Sequence, residues 1–71
     1  MNEEELKLAI YTQPFEPVRI HLSNGATFDV RSPGAITIGK RTSGVVVGPG
    51  IQVIANLHIA HVEPLVNAAA G

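Results

Sequence analysis

His58, His61 and Glu63 stand close together near the C-terminal end of the chain, and imidazole and carboxylate are donors that hold zinc. A metal site needs its imidazoles on one side of an element, a third ligand, and partners that orient the rings. In a short last strand over 59–63, His61 and Glu63 share a face, whereas His58 falls in the preceding turn. The two-histidine-plus-carboxylate set is therefore incomplete, and these histidines read as surface or interface residues. No metal and no cofactor is expected. Other chemistries find less support. There is no cysteine, no serine in a nucleophile-elbow context, and no pair of carboxylates spaced for acid–base work. Gly44, Gly48 and Gly50 lack the Lys-Ser/Thr ending of a phosphate loop and precede no helix, so they read as turn glycines. No catalytic residue is assigned, and the expected protein is not an enzyme.

Charge is the second source of chemistry. The whole chain carries a net −1, which excludes a generally basic nucleic-acid binder. Its distribution is uneven. Residues 1–18 set Lys7 against Glu3, Glu4, Glu5 and Glu16, a net −3. Residues 19–41 set Arg19, Arg31, Lys40 and Arg41 against Asp29, a net +3. With His58, these four cations are the candidate contacts to a nucleic acid or an acidic partner. No exposed aromatic accompanies them for base stacking, so a solvated face, or a face that meets the acidic helix of another copy, is the preferred reading.

These side chains must be positioned by short elements. Asn2 with Glu5 three residues later forms the pattern of a capping box, and Leu6 and Ile10 supply the apolar stripe of a helix over 3–12. Pro14 stops that helix. Residues 13–17 are then an extended connector, with Phe15 pinned to the core between two prolines. Residues 18–31 alternate as a β-hairpin. A two-residue loop would pair Leu22 with Thr27 and mix apolar with polar on both faces. A three-residue loop over Ser23-Asn24-Gly25 pairs Leu22 with Ala26, Ile20 with Phe28 and Val18 with Val30, all on one face. The expected hairpin therefore has Gly25 in the left-handed region and Arg19 opposite Asp29. Ser32-Pro33-Gly34 bends the chain. Residues 35–38 resume a strand, with Ile36 and Ile38 on one face. Residues 39–44 are a polar loop, Val45-Val46-Val47 a short strand, 48–50 a turn, 51–55 a strand, 56–58 one helical turn, and 59–63 the last strand.

An N-terminal helix followed by five short strands, bent sharply after the second, predicts a mainly β fold: a small Sm-like or SH3-like barrel. A single domain is expected over 1–66, with a flexible tail over 67–71. The apolar fraction is 45% and the charged fraction 15%, which is unlike a disordered chain. Only Tyr11, Phe15 and Phe28 are aromatic, so the core is aliphatic, and a core this small leaves association as a natural way to bury more surface. Val45, Val46 and Val47 present apolar side chains to both faces and are the candidate self-association residues. A homo-oligomer is expected in which this strand, or the strand at 51–55, pairs or packs against another copy, as a ring rather than an open chain. No apolar run approaches the ~20 residues of a membrane helix. The N-terminus is acidic where a signal peptide would be basic, so the expected location is cytoplasmic, away from membranes.

Two resemblances rest on particular residues. The phrase from Gln13 to Gly25 (QPFEPVRIHLSNG), continuing through Phe28, Val30 and Pro33, resembles a family of short bacterial proteins common in planctomycetes. Leu57-His58-Ile59 followed by Val62-Glu63-Pro64 is similar to that family's closing segment, and the likeness spans about residues 5 to 65. That family brings no established activity. More distantly, an N-terminal helix, the run Pro17 to Gly25 and the closing Ile59-x-x-Val62-Glu63-Pro64 resemble Sm-like proteins of the bacterial host-factor (Hfq) type. This resemblance implies a small barrel and offers an RNA-binding ring as the alternative function. Two of that type's RNA features are not matched. Its stacking aromatic falls in the segment 34–38, which is Gly-Ala-Ile-Thr-Ile here. Its Lys-His pair falls on Asn56 and Leu57, with His58 one place off. An interaction or assembly module without catalysis is thus the function expected, with no small-molecule substrate.

Overall fold

Asn2 starts the helix as its spacing predicts. In the computed structural model, which describes residues 1–66, its side chain accepts from the Glu5 N–H at 2.8 Å and the Glu5 carboxylate accepts from the Asn2 N–H at 2.9 Å. Three glutamates fill the first turn of this helix, α1 (Glu3–Ile10), where the dipole favours negative charge. Leu6 and Ile10 are completely buried. The helix ends two residues before the expected Thr12. Tyr11 leaves helical geometry and donates its hydroxyl to the Ile36 carbonyl at 3.0 Å, tying the helix end to a strand. Phe15 is partly buried against the core, as its place between two prolines predicts.

The hairpin has the register that the apolar alternation selects. Strands β1 (Val18–Leu22) and β2 (Thr27–Val30) pair Val18 with Val30, Arg19 with Asp29, Ile20 with Phe28 and His21 with Thr27. The loop closes through Leu22 N–H to Ala26 O at 2.9 Å and Gly25 N–H to Leu22 O at 3.0 Å. Gly25 has φ +91°, the left-handed conformation such a loop requires.

Four further strands follow: β3 (Ile36–Ile38), β4 (Thr42–Val47), β5 (Gly50–Ala55) and β6 (Ile59–Pro64). All pairings are antiparallel, in two three-stranded sheets ordered β2-β1-β6 and β3-β4-β5. Their inner faces enclose one aliphatic core that includes Leu6, Ile10, Ile20, Val30, Ile36, Val45, Ile54 and Ile59. A single-turn 3-10 helix over Asn56–His58 leads into β6. No helix among the described residues is long and apolar enough to cross a membrane.

Two expectations are corrected. The described residues form six strands in two sheets and no closed barrel, where five strands in a barrel are expected from the sequence. The break falls at Pro33, which lacks an N–H for a ladder and opens a 3-10 turn over Pro33–Ala35 between β2 and β3. Secondly, the polar loop is shorter than its composition suggests, because Thr42, Ser43 and Gly44 belong to β4. Ser43 is a strand residue for a specific reason. It points inward, 2% exposed, and donates to the buried Asn56 side chain at 2.7 Å. The tail expected over 67–71 lies outside the described residues.

Candidate functional site

The outer face of the β2-β1-β6 sheet gathers Arg19, His21, Asp29, His61 and Glu63. Alternation along β1 turns Val18 and Ile20 inward and leaves Arg19 and His21 facing out. Across the sheet, Arg19 lies between Asp29 and Glu63, and His21 lies between Thr27 and His61. Arg19 directs its guanidinium to Asp29, with Nε to Oδ1 at 2.8 Å and Nη2 to Oδ2 at 3.3 Å. These bonds, and the charge of Arg19 and Arg31, hold the Asp29 carboxyl below its ordinary range. The same hydrogen bonding raises Arg19 above its own. Arg31 adds a longer contact to Asp29 at 3.5 Å.

On the other side of β1, His21 Nε2 meets Glu63 Oε1 at 2.6 Å. The His21 and His61 rings stack with centroids 4.1 Å apart and planes 12° from parallel. The potential ligand atoms of His21, His61 and Glu63 all lie within 4.8 Å of one another. The sequence pairs His61 with Glu63 correctly but places neither against β1. His21 is 40 positions from His61 in the chain, and local periodicity carries no information about that pairing. The weak available signal was that His21 and His61 each fall on the polar face of an alternating strand. His58 stands apart from this group.

The other candidate residues are dispersed. Lys40 and Arg41 sit at the turn between β3 and β4, around an open groove shared with Met1, Asn2, Glu5 and Leu57. Arg19 and Arg31 sit on the hairpin with Asp29 between them. The five candidate partner contacts therefore do not form one basic patch. Asn56 is 3% exposed. Its side chain accepts from Ser43 and donates to the Gly39 carbonyl at 2.8 Å, so its polar atoms are committed to the fold.

The three valines also divide. Val45 is 1% exposed and belongs to the core, whereas Val46 and Val47 are half exposed. Their strand β4 is the centre of its sheet, paired on both sides, so it offers no free edge. The free edges of this sheet belong to β3 and β5; β5 is the longer, and its residues from Gly50 to Ala55 carry no charge. Ile51 and Val53 point outward, 71% and 64% exposed, with Val46 directly opposite Ile51. Beside this edge, a groove of about 630 Å³ runs between Gln52–Ala55 and the hairpin residues Leu22, Asn24 and Phe28, with His58 at its wall. Compared with known proteins, the chain matches no family model, no curated protein and no solved structure.

Proposed function

We propose that the chain is a non-catalytic assembly module that forms a homo-oligomer through the free edge of β5. The observation that carries this reading is the edge itself. It is six residues long, uncharged and unpaired, and it presents Ile51 and Val53 to solvent. Edge strands of monomers are usually blunted by charge, proline or a bulge, because an open row of N–H and C=O groups pairs with other strands. None of these devices occurs within β5. The outward Val46 extends the apolar surface across to β4. Counting β2 and β3 as one strand interrupted at Pro33 gives the five-strand count of the Sm-like or SH3-like layout that the sequence suggests. Where β5 meets a different edge strand of the next copy the contact is heterologous, and a closed ring completes it in every copy, whereas an open chain leaves two ends unpaired.

The test is light scattering of the untagged chain over a concentration series, beside the variant Val53→Lys. The expected result is an oligomer in the parent protein and a folded monomer in the variant. A parent protein with the mass of one chain at every concentration overturns the proposal. Tight, sequence-selective binding of U-rich or A-rich RNA by the oligomer would replace this reading with the RNA-binding one.

A further inference from the structure

We propose that His21, His61 and Glu63 form a binding site for a divalent transition-metal ion of the zinc type. Two imidazoles and one carboxylate are a donor set that suits zinc, and one that magnesium and calcium, which prefer oxygen throughout, do not favour. The three side chains rise from adjacent strands on one face of a sheet. β1 is the central strand of that sheet, paired on both sides, so the ligands stand on a rigid support. His21 lies directly opposite His61, and Glu63 is two residues along β6 on the same face.

Their ligand atoms already fall within 4.8 Å of one another. Tetrahedral zinc with bonds near 2.0–2.1 Å holds its ligand atoms about 3.3 Å apart. Side-chain rotation at the half-buried Glu63 and the exposed His61 can close that gap. The contact between His21 Nε2 and Glu63 Oε1, at 2.6 Å, already brings two of the three ligand atoms together. On metal binding the Nε2 proton shared with Glu63 passes to water, Nδ1 carries the proton of the neutral ring (taken up from water where Nδ1 was bare), Nε2 presents its lone pair to the metal, and the carboxylate exchanges a hydrogen bond for a metal bond.

Two further features favour the site. The pairing of β1 with β6 slips beside the histidines: His21 opposes His61, but the next residue, Leu22, opposes Ile59. Ala60 is the extra residue of a bulge, and bulges re-aim neighbouring side chains. The nearest cation is also engaged elsewhere. Arg19 lies opposite Glu63 but turns both contacting nitrogens to Asp29, which leaves the Glu63 carboxylate to the histidines. The face is open, so water completes the coordination shell.

The test uses the untagged full chain after treatment with chelator. Zn²⁺ is titrated in by calorimetry, and the histidine side chains are followed by NMR. One equivalent should bind, with the His21 and His61 ring signals shifting together and the His58 signals unmoved. His61→Ala and Glu63→Gln alter exposed or half-exposed side chains and should leave the chain folded, while each weakens binding by about tenfold or more. His58→Ala should bind as the parent does. No saturable binding by the folded chain would overturn the proposal. So would equal affinity in His61→Ala, or a Zn²⁺ response centred on His58.

Discussion

Asn56 shows how one buried amide organises its surroundings. Its backbone N–H donates to the Arg41 carbonyl at 2.8 Å, and its side chain joins Ser43 to Gly39. The β3–β4 turn, strand β4 and the turn before β6 therefore meet at one residue. Truncation to alanine leaves the Ser43 hydroxyl without its acceptor in a buried setting. Asn56→Ala should cost about 2 kcal/mol in urea unfolding, and pairing it with Ser43→Ala should cost less than the two changes summed. Asp29 is the residue-scale case for pH. Its carboxyl is held low by Arg19 in the folded chain, so the folded state favours the ionised form. That contribution is present above the ordinary aspartate range and is lost as the pH falls through the lowered value. Melting temperature should therefore decline more gently below about pH 4 in Asp29→Asn than in the parent. Identical acid limbs would show that solvent screens the pair completely.

Elements differ in how much of them local sequence specifies. The helix start and the hairpin register are legible because both are short-range. The capping box spans Asn2 to Glu5, and only a three-residue loop puts Val18, Ile20, Leu22, Ala26, Phe28 and Val30 on one face. The start of β4 is not legible, since Thr42-Ser43-Gly44 has loop composition and becomes strand through the distant Asn56. The approach of β6 to β1 is equally non-local, which is why the grouping of His21 with His61 and Glu63 emerges only in three dimensions. Glycines test this view of the turns. A Cβ at Gly39 would stand 2.6 Å from the Thr42 carbonyl oxygen, the acceptor of Gly39's own N–H at 3.0 Å. At Gly25 there is space but a left-handed backbone, and at Gly34 there is space without that constraint. Alanine should thus be worst at 39, by about 2 kcal/mol or more. It should cost about 1 kcal/mol at 25 and almost nothing at 34. Thermal melts of the three variants, in any other order, would contradict the turn assignments.

At the scale of the whole molecule, the proposed assembly would link folding to association through the balance between buried and exposed apolar side chains. The fully buried side chains are aliphatic, Leu6, Ile10, Ile20, Val30 and Val45 among them. No aromatic among the described residues joins them in full burial. The area such a core removes from water is small for a domain that must order more than sixty residues. Meanwhile Val46, Ile51 and Val53 remain on one outer sheet surface. Covering that surface with another copy adds burial that the isolated chain lacks, and any partner that binds only the folded state raises its stability by mass action. Melting temperature should therefore rise by a few degrees when the chain concentration is raised about tenfold. Val46→Lys separates this from an ordinary core effect. Because Val46 is 47% exposed, a lysine there can reach water in the isolated chain, but it sets a charge in the apolar contact between copies. The variant should melt like the parent at the lowest concentration and fall below it as concentration increases. A deficit that is the same at every concentration would mean that Val46 acts within the single chain, and that the β4–β5 surface is not where copies meet.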